Sequence, residues 1–238
     1  MNIMKEVYAE HTIDLPVSLP FKGVIFDMDG TLIESTEADY LAWKRLFADY
    51  QKPLSYEDYF PLLGAKSAVV VQSRLLLNEE ETKVALAKKL RYFTEIISSN
   101  GIQPVPFAVK LLEQLRQYDL KIALATSSRR EKMKMVLKLT GLLPYFKVIV
   151  TGEEVSKSKP SPDIFLRAAE KLELQPDQCL VIEDAVNGVK AAKNAGMKCI
   201  AITTTHSAEM LHPADLIIHT YEALNFEKLC IMVTAKKA

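Results

Sequence analysis

The stretch Gly23-Val24-Ile25-Phe26-Asp27-Met28-Asp29-Gly30-Thr31-Leu32 frames the whole chain. A short β-branched apolar run reads as a buried strand, and it stops at a pair of carboxylates. Side chains two residues apart on an extended backbone face the same way, so Asp27 and Asp29 can both look into one crevice at the strand's carboxyl end. Gly30 lets the backbone turn sharply behind them. A hard divalent cation suits such an oxygen-only pair. The competing reading of these residues alone is a strand-end Asx turn with an incidental second acid, so the pair needs company from elsewhere in the sequence.

Outward from this strand, short β-branched runs recur at 121–125, 148–151, 180–182, 199–203 and 215–218, with helical patterns between them. Strand then helix, repeated, predicts an α/β fold with a doubly wound parallel sheet, in which ligands bind beyond the carboxyl ends of the strands. Ser161 followed by Pro162 reads as an N-cap and a first-turn proline, and Gly141 and Gly196 fall where helix ends need a left-handed residue. One stretch breaks the rhythm. From 35 to 100 the pattern is helical, with Tyr40, Trp43, Phe47 and Tyr50 on one face of a first helix and Leu86, Leu90, Phe93 and Ile97 on a later one. It ends at Asn100-Gly101, ahead of Pro104 and Pro106. The predicted organisation is an N-terminal extension at 1–20, an α/β core from 21–34 plus 104–238, and an inserted helical cap at 35–103.

Composition narrows the partner. Lys plus Arg and Asp plus Glu number 30 each in 238 residues, so the net charge is zero and the basic footprint of a nucleic-acid or anionic-membrane binder is absent. A small molecule is the expected partner, and a monomer the expected state. Cys179, Cys199 and Cys230 are odd in number and widely spaced, which suits buried thiols in a reducing compartment. Runs such as Val69-Val70-Val71 are too short to span a bilayer and no export signal is legible, so the expected location is cytoplasmic.

The ends of later strands supply the company that Asp27 and Asp29 need. Leu124-Ala125-Thr126-Ser127-Ser128 closes one strand with hydroxyls and amides able to bind phosphate oxygens, although such a cluster also reads as a turn or cap. Ser158-Lys159-Pro160-Ser161-Pro162 places a lysine just before a helix start, where its ammonium can balance carboxylate and phosphate; a solvated lysine is the plain alternative. Val181-Ile182-Glu183-Asp184 ends an apolar strand in adjacent acids, ahead of a small-residue helix through Gly188, Ala191, Ala192 and Gly196. Buried strand ends seldom carry two carboxylates without a cation or partner.

In order and character these pieces resemble the haloacid dehalogenase superfamily of aspartyl phosphotransferases, and within it the β-phosphoglucomutase-like branch. The resemblance runs from residue 22 onward and rests on the run 26–32, Lys159-Pro160, and the Glu183-Asp184 segment ending at Gly196. It implies a Rossmann-like core, Asp27 as nucleophile, Asp29 as general acid and base, Thr126 as a phosphoryl ligand and Lys159 as its neutralising cation. It also implies Mg2+ held by Asp27, the backbone carbonyl of Asp29, Glu183 and Asp184. A carboxylate attacks a charged ester poorly unless cations cancel the repulsion, which magnesium and Lys159 would do. The insertion would be a mobile cap that excludes water and selects the substrate, with Ser127, Asp39 and Lys66 as candidate contacts.

Two other classes compete. A receiver domain also combines acids, a Ser/Thr and a Lys on a parallel sheet, but its acid pair is adjacent and its phosphorylated Asp lies on strand three. A catalytically silent phosphometabolite-binding protein would lack a catalytic residue, and none is missing. Within enzymes, the branch's mutases share Trp43-Lys44 but carry a histidine where Asp39 stands and an arginine where the cap loop reads Gly64-Ala65-Lys66-Ser67. The expectation is therefore hydrolysis of a small sugar phosphomonoester, with a sugar-phosphate mutase as the alternative and Asp39 as a charge that disfavours a second phosphate.

Overall fold

The computed structural model describes residues 21–224 and Leu229. The expectations for the 1–20 extension and for Cys230 lie outside the described residues. Six strands, β1 (Gly23–Phe26), β2 (Lys121–Thr126), β3 (Val148–Thr151), β4 (Cys179–Glu183), β5 (Lys198–Ile202) and β6 (Leu216–Ile218), form one sheet in the order β3-β2-β1-β4-β5-β6. Every pairing is parallel. The chain builds outward from β1 to β3, then returns to β4 on the other side of β1. The order thus reverses between β1 and β4, which opens a crevice at their carboxyl ends. Asp27 and the Glu183-Asp184 pair sit on those two strands' ends.

The sheet is covered on both faces, which is why its strands read as continuous apolar runs rather than alternating ones. Val24, Phe26, Leu124 and Ile182 pack with α5 (Ala108–Gln117) and α6 (Arg130–Leu139) on one face. Ile25, Ala125, Val181 and Cys199 pack with α7 (Asp163–Leu172) and α8 (Val186–Asn194) on the other. Phe165, fully enclosed in α7, anchors the second layer; its truncation to Ala costs about 3–5 kcal/mol. The helix starts one residue later than Ser161-Pro162 suggested. Pro162 occupies the N-cap position, and the Ser161 hydroxyl is turned to Asp163 Oδ1 at 2.6 Å rather than to a backbone amide. Gly141 and Gly196 do adopt left-handed conformations after α6 and α8, with φ of 71° and 73°.

Between β1 and β2 the chain runs through α1 (Thr36–Asp49), α2 (Tyr56–Tyr59), α3 (Ser67–Leu75) and α4 (Glu79–Asn100). These helices share their own apolar cluster, with Trp43, Leu46, Phe47, Tyr59, Val70 and Leu86 at its centre. The acidic run 79–81 is the first turn of α4, where Asn78 and Glu81 close a reciprocal capping box. The two crossings between this unit and the sheet lie side by side. Glu34 N donates to Gln103 O at 3.0 Å and Val105 N to Leu32 O at 2.8 Å, a paired connection with Gly101 at φ 78° just beyond.

Candidate active site

The tight turn after β1 aims Asp27 and Asp29 out of the sheet while Met28 between them is buried in the core. Gly30, at φ 83°, makes the turn possible, and it is also too close to Asp184 Oδ2 for any side chain, at 2.2 Å from where a Cβ would stand. Lys159, 3% exposed, donates to Asp27 Oδ1 and to Glu183 Oε1, both at 2.6 Å. The other Glu183 oxygen accepts from the amides of Asp184 and Ala185 at 2.8 and 2.7 Å, at the start of α8. Asp184 accepts from Thr31 at 2.7 Å and Thr205 at 2.6 Å.

Ligand oxygens of Asp27, Glu183 and Asp184 therefore lie within 4.8 Å of one another, all buried. Three carboxylates face one ammonium, an excess of negative charge that burial makes severe. Burial pushes the Asp27 carboxyl up to about 7, reinforced by the charges of Glu183 and Asp29 and opposed by Lys159. Asp184 is raised well above the ordinary carboxylate range by burial and then by Glu183 and Asp27. Burial alone would lower Lys159, but Asp27 and Glu183 outweigh it and raise its affinity for the proton. Hard oxygen donors, preorganised and short of positive charge, fit a divalent cation.

Asp29 has a separate set of partners, one of them at the start of the helical unit. Its Oδ1 accepts from Ser35 and its Oδ2 from Ser128, each at 2.6 Å, and Lys132 pairs with Oδ1 at 2.8 Å. Its immediate partners are thus two hydroxyls and an ammonium. Thr126, buried at the end of β2, accepts from the Ser128 amide at 3.0 Å through its hydroxyl. Ser127 reaches across to the helical unit and donates to Gly64 O at 2.8 Å.

Asp27, Asp29, Thr126, Ser127 and Asp39 line one cavity of about 60 Å3 between sheet and helices. Lys66 does not line it: its ammonium turns to the carbonyls of Val155 and Ser156 on the loop after β3. Asp39, on α1, accepts from Lys89 at 2.8 Å, Lys132 at 2.9 Å and Tyr59 at 3.2 Å. Burial would raise its carboxyl, but Lys132 and Lys89 hold it well below the usual range. This changes the charge reasoning drawn from the sequence. Asp39 is not a lone anion facing the substrate, because two ammonium groups share one of its oxygens.

Sequence reasoning passed over Lys89, Lys132, Ser35 and Thr205, and it quoted Thr31 and Ser128 without pairing either with a carboxylate. Two of them left a signal. Lys89 falls on the stripe that carries Leu86 and Phe93, and Lys132 is one turn before Val136, so each is a charge on an apolar helix face. The hydroxyls left none, since Ser and Thr at strand and helix ends are read first as caps.

Known proteins resemble this chain in sequence and in fold. Residues 24–202 match the family described as haloacid dehalogenase-like hydrolase. The chain is 31% identical over 198 residues to validoxylamine A 7'-phosphate phosphatase of Streptomyces hygroscopicus subsp. limoneus, covering 83% of this chain and 93% of that protein. It is 32% identical over 216 residues to beta-phosphoglucomutase of Bacillus subtilis, covering 87% and 93%. The crystal structure of beta-phosphoglucomutase from Clostridium difficile superposes with a TM-score of 0.81 at 26% identity, over 90% of this chain and 97% of that one. With an acid pair after β1, a lysine between two strand-end carboxylates and a matching parallel core, the chain belongs to the haloacid dehalogenase-like hydrolase family.

Proposed function

We propose that this enzyme hydrolyses a small phosphomonoester, of the sugar-phosphate class, through an aspartyl phosphate on Asp27, with Mg2+ as its cation. The observation that carries the reading is the Lys159 bridge: one buried ammonium 2.6 Å from both Asp27 and Glu183, inside a group of three buried acids at the cavity floor. Asp27 attacks phosphorus while Asp29 gives its proton to the departing oxygen. Water then attacks the acyl phosphate, Asp29 takes the proton back, and inorganic phosphate leaves. Thr126 and the amides after β2 hold the phosphoryl oxygens, and Lys159 offsets their charge. Magnesium, held by Asp27, Glu183, Asp184 and the Asp29 carbonyl, would neutralise the excess negative charge and orient the transferring group.

The helices at 35–103 act as the cap. The cap parts to admit substrate and closes over the cavity to exclude water. Ser127 and Asp39 line the substrate side, and Lys66 fastens the cap loop to the core. The reading also places the protein in the cytoplasm as a monomer with no nucleic-acid or membrane partner; no helix among the described residues is long and apolar enough to cross a membrane.

A mutase is the second reading, favoured by the likeness to beta-phosphoglucomutase and by Lys89 and Lys132, which offset the charge of Asp39. Turnover of a panel of phosphate esters with magnesium, including β-glucose 1-phosphate with a trace of glucose 1,6-bisphosphate, separates the two. Inorganic phosphate as the main product supports hydrolysis. Glucose 6-phosphate forming much faster than phosphate establishes the mutase, and no turnover of any ester defeats both.

A further inference from the structure

We propose that Lys132 is a positioning residue that ties closure of the cap to the orientation of Asp29; the inference rests on the phosphotransfer reading above. Lys132 belongs to the core, on α6, and its side chain is 10% exposed. Its ammonium lies 2.8 Å from Asp29 Oδ1, in the core, and 2.9 Å from Asp39 Oδ1, on the cap. Phe93, on α4, presents its ring 4.5 Å from the same ammonium. Among the described residues, Lys132 is the one that pairs both with a carboxylate of the reaction centre and with one of the cap.

The consequence follows from which partners move together. Asp39, Lys89, Tyr59 and Phe93 all lie on the helical insertion, so an opening cap carries them away as a set. Lys132 then keeps Asp29 alone and meets water where Asp39 and the ring had been. An ammonium shared between two carboxylates is fixed between them, whereas one with a single partner and a hydration shell is free to wander. Ser35, the residue just before α1, donates to the same Oδ1 of Asp29, so both groups that hold this oxygen are tied to the cap. Other bonds across the cleft, Ser127 to Gly64 O and Asn187 to Leu63 O at 3.4 Å, fasten the cap without touching Asp29. Ser128 holds the other oxygen from the core in either state, so docking of Asp39 on Lys132 fixes Oδ1 and completes the orientation of Asp29 in the closed state.

The test uses Lys132→Met, Asp39→Asn and the double variant in the full-length protein, with two readouts. One is steady-state kinetics on the best phosphate ester. The other is emission of Trp43, the only tryptophan, which lines the cavity with the Lys89 ammonium 4.1 Å over its ring, titrated with inorganic phosphate and magnesium. Lys132→Met is expected to lower kcat about thirtyfold or more with KM within about threefold, the pattern of a lost transition-state interaction. Asp39→Asn alone is expected to lower kcat about fivefold, yet to add nothing in the Lys132→Met background, because its effect passes through the lysine. Both variants should need severalfold more phosphate to reach half of the Trp43 change. Losses that multiply independently, or a kcat within about twofold of the parent beside a lowered melting temperature, would overturn the proposal and leave Lys132 as a structural counter-ion. If Lys132→Met does not fold, Asp39→Asn decides, an unchanged kcat and an unchanged Trp43 midpoint refuting the link. If the parent turns over no phosphate ester, the phosphotransfer reading fails, while unshifted Trp43 midpoints in the variants would separately refute the closure contact.

Discussion

Replacing Gly188 by alanine tests whether the Glu183 carboxylate organises the reaction centre. Gly188 lies in α8, directly against that carboxylate: a Cβ there would stand 1.8 Å from Oε1, 1.9 Å from Cδ and 2.4 Å from Oε2. Ordinary contacts of this kind begin at 3.4 Å, so the carboxylate has to retreat by more than an ångström. Glu183 would then lose its 2.6 Å bond from Lys159 and its bonds from the Asp184 and Ala185 amides. A misplacement of about 1 Å in a catalytic constellation costs on the order of 100-fold in rate, and here it reaches Asp27 through their shared lysine. Stability responds in two directions. Alanine favours the helix over glycine by about 1 kcal/mol, while overpacking costs about 1–3 kcal/mol and the lost bonds of Glu183 add to that cost, so the melting temperature should fall. The assay is phosphate release against magnesium concentration, with Lys190→Ala on the exposed side of α8 as the control. Gly188→Ala is expected to lose about 100-fold in kcat/KM and to need more magnesium. A folded variant within about threefold of the parent would refute the placement of Glu183 in the reaction centre.

Lys159→Ala leaves three buried carboxylates with no ammonium, so kcat should fall well beyond tenfold and the melting temperature should drop, removal of one partner from a buried pair costing about 3–5 kcal/mol. A kcat within about tenfold of the parent, or 1.4 kcal/mol, makes Lys159 a structural lysine only. Magnesium should raise the melting temperature and EDTA lower it, by about 2.7 kcal/mol of stabilisation at a hundredfold excess over Kd, and Asp184→Asn should blunt the response; an equal response in the variant would move the cation elsewhere. Asp39 supplies a pH dependence. Its folded carboxyl is held below its unfolded value by Lys132 and Lys89, so its contribution is complete above about pH 4 and lost as pH falls further. Thermal midpoints measured from about pH 5 to pH 3 should fall faster in the parent than in Asp39→Asn, and parallel curves would count against the ion pairs.

Most of the sheet is visible in residue order because buried parallel strands must be apolar on both faces. The runs at 23–26 and 148–151 coincide with β1 and β3, while β2, β4 and β5 differ by a residue at their ends, where Thr126 and Glu183 continue the extended backbone into the site. The helical character of 35–100 was legible from its periodic apolar residues, aromatic on the first helix and mostly aliphatic on the later one. Less legible was where charge ends up between two units that meet far apart in sequence. Asp39 and Lys132 are 93 residues apart, and nothing in either local pattern announces their contact. Lys66 shows a related limit: the family resemblance makes it a candidate substrate contact, and only the docked structure shows two carbonyls of the facing loop around its ammonium. Composition and spacing order elements along a chain, whereas the pairing of distant charges is decided by how those elements dock.

The covalent step is the centre of the account, and mass spectrometry of the acid-quenched enzyme tests it most directly. Protein mixed with magnesium and its best phosphate ester is quenched within one turnover and digested, and the peptide containing Asp27 is weighed. The expected result is one phosphoryl group on Asp27, present in the parent, absent in Asp27→Asn, and accompanied in that variant by loss of turnover. Turnover near the parent rate in Asp27→Asn, or a phosphoryl group on any other residue, would contradict the mechanism.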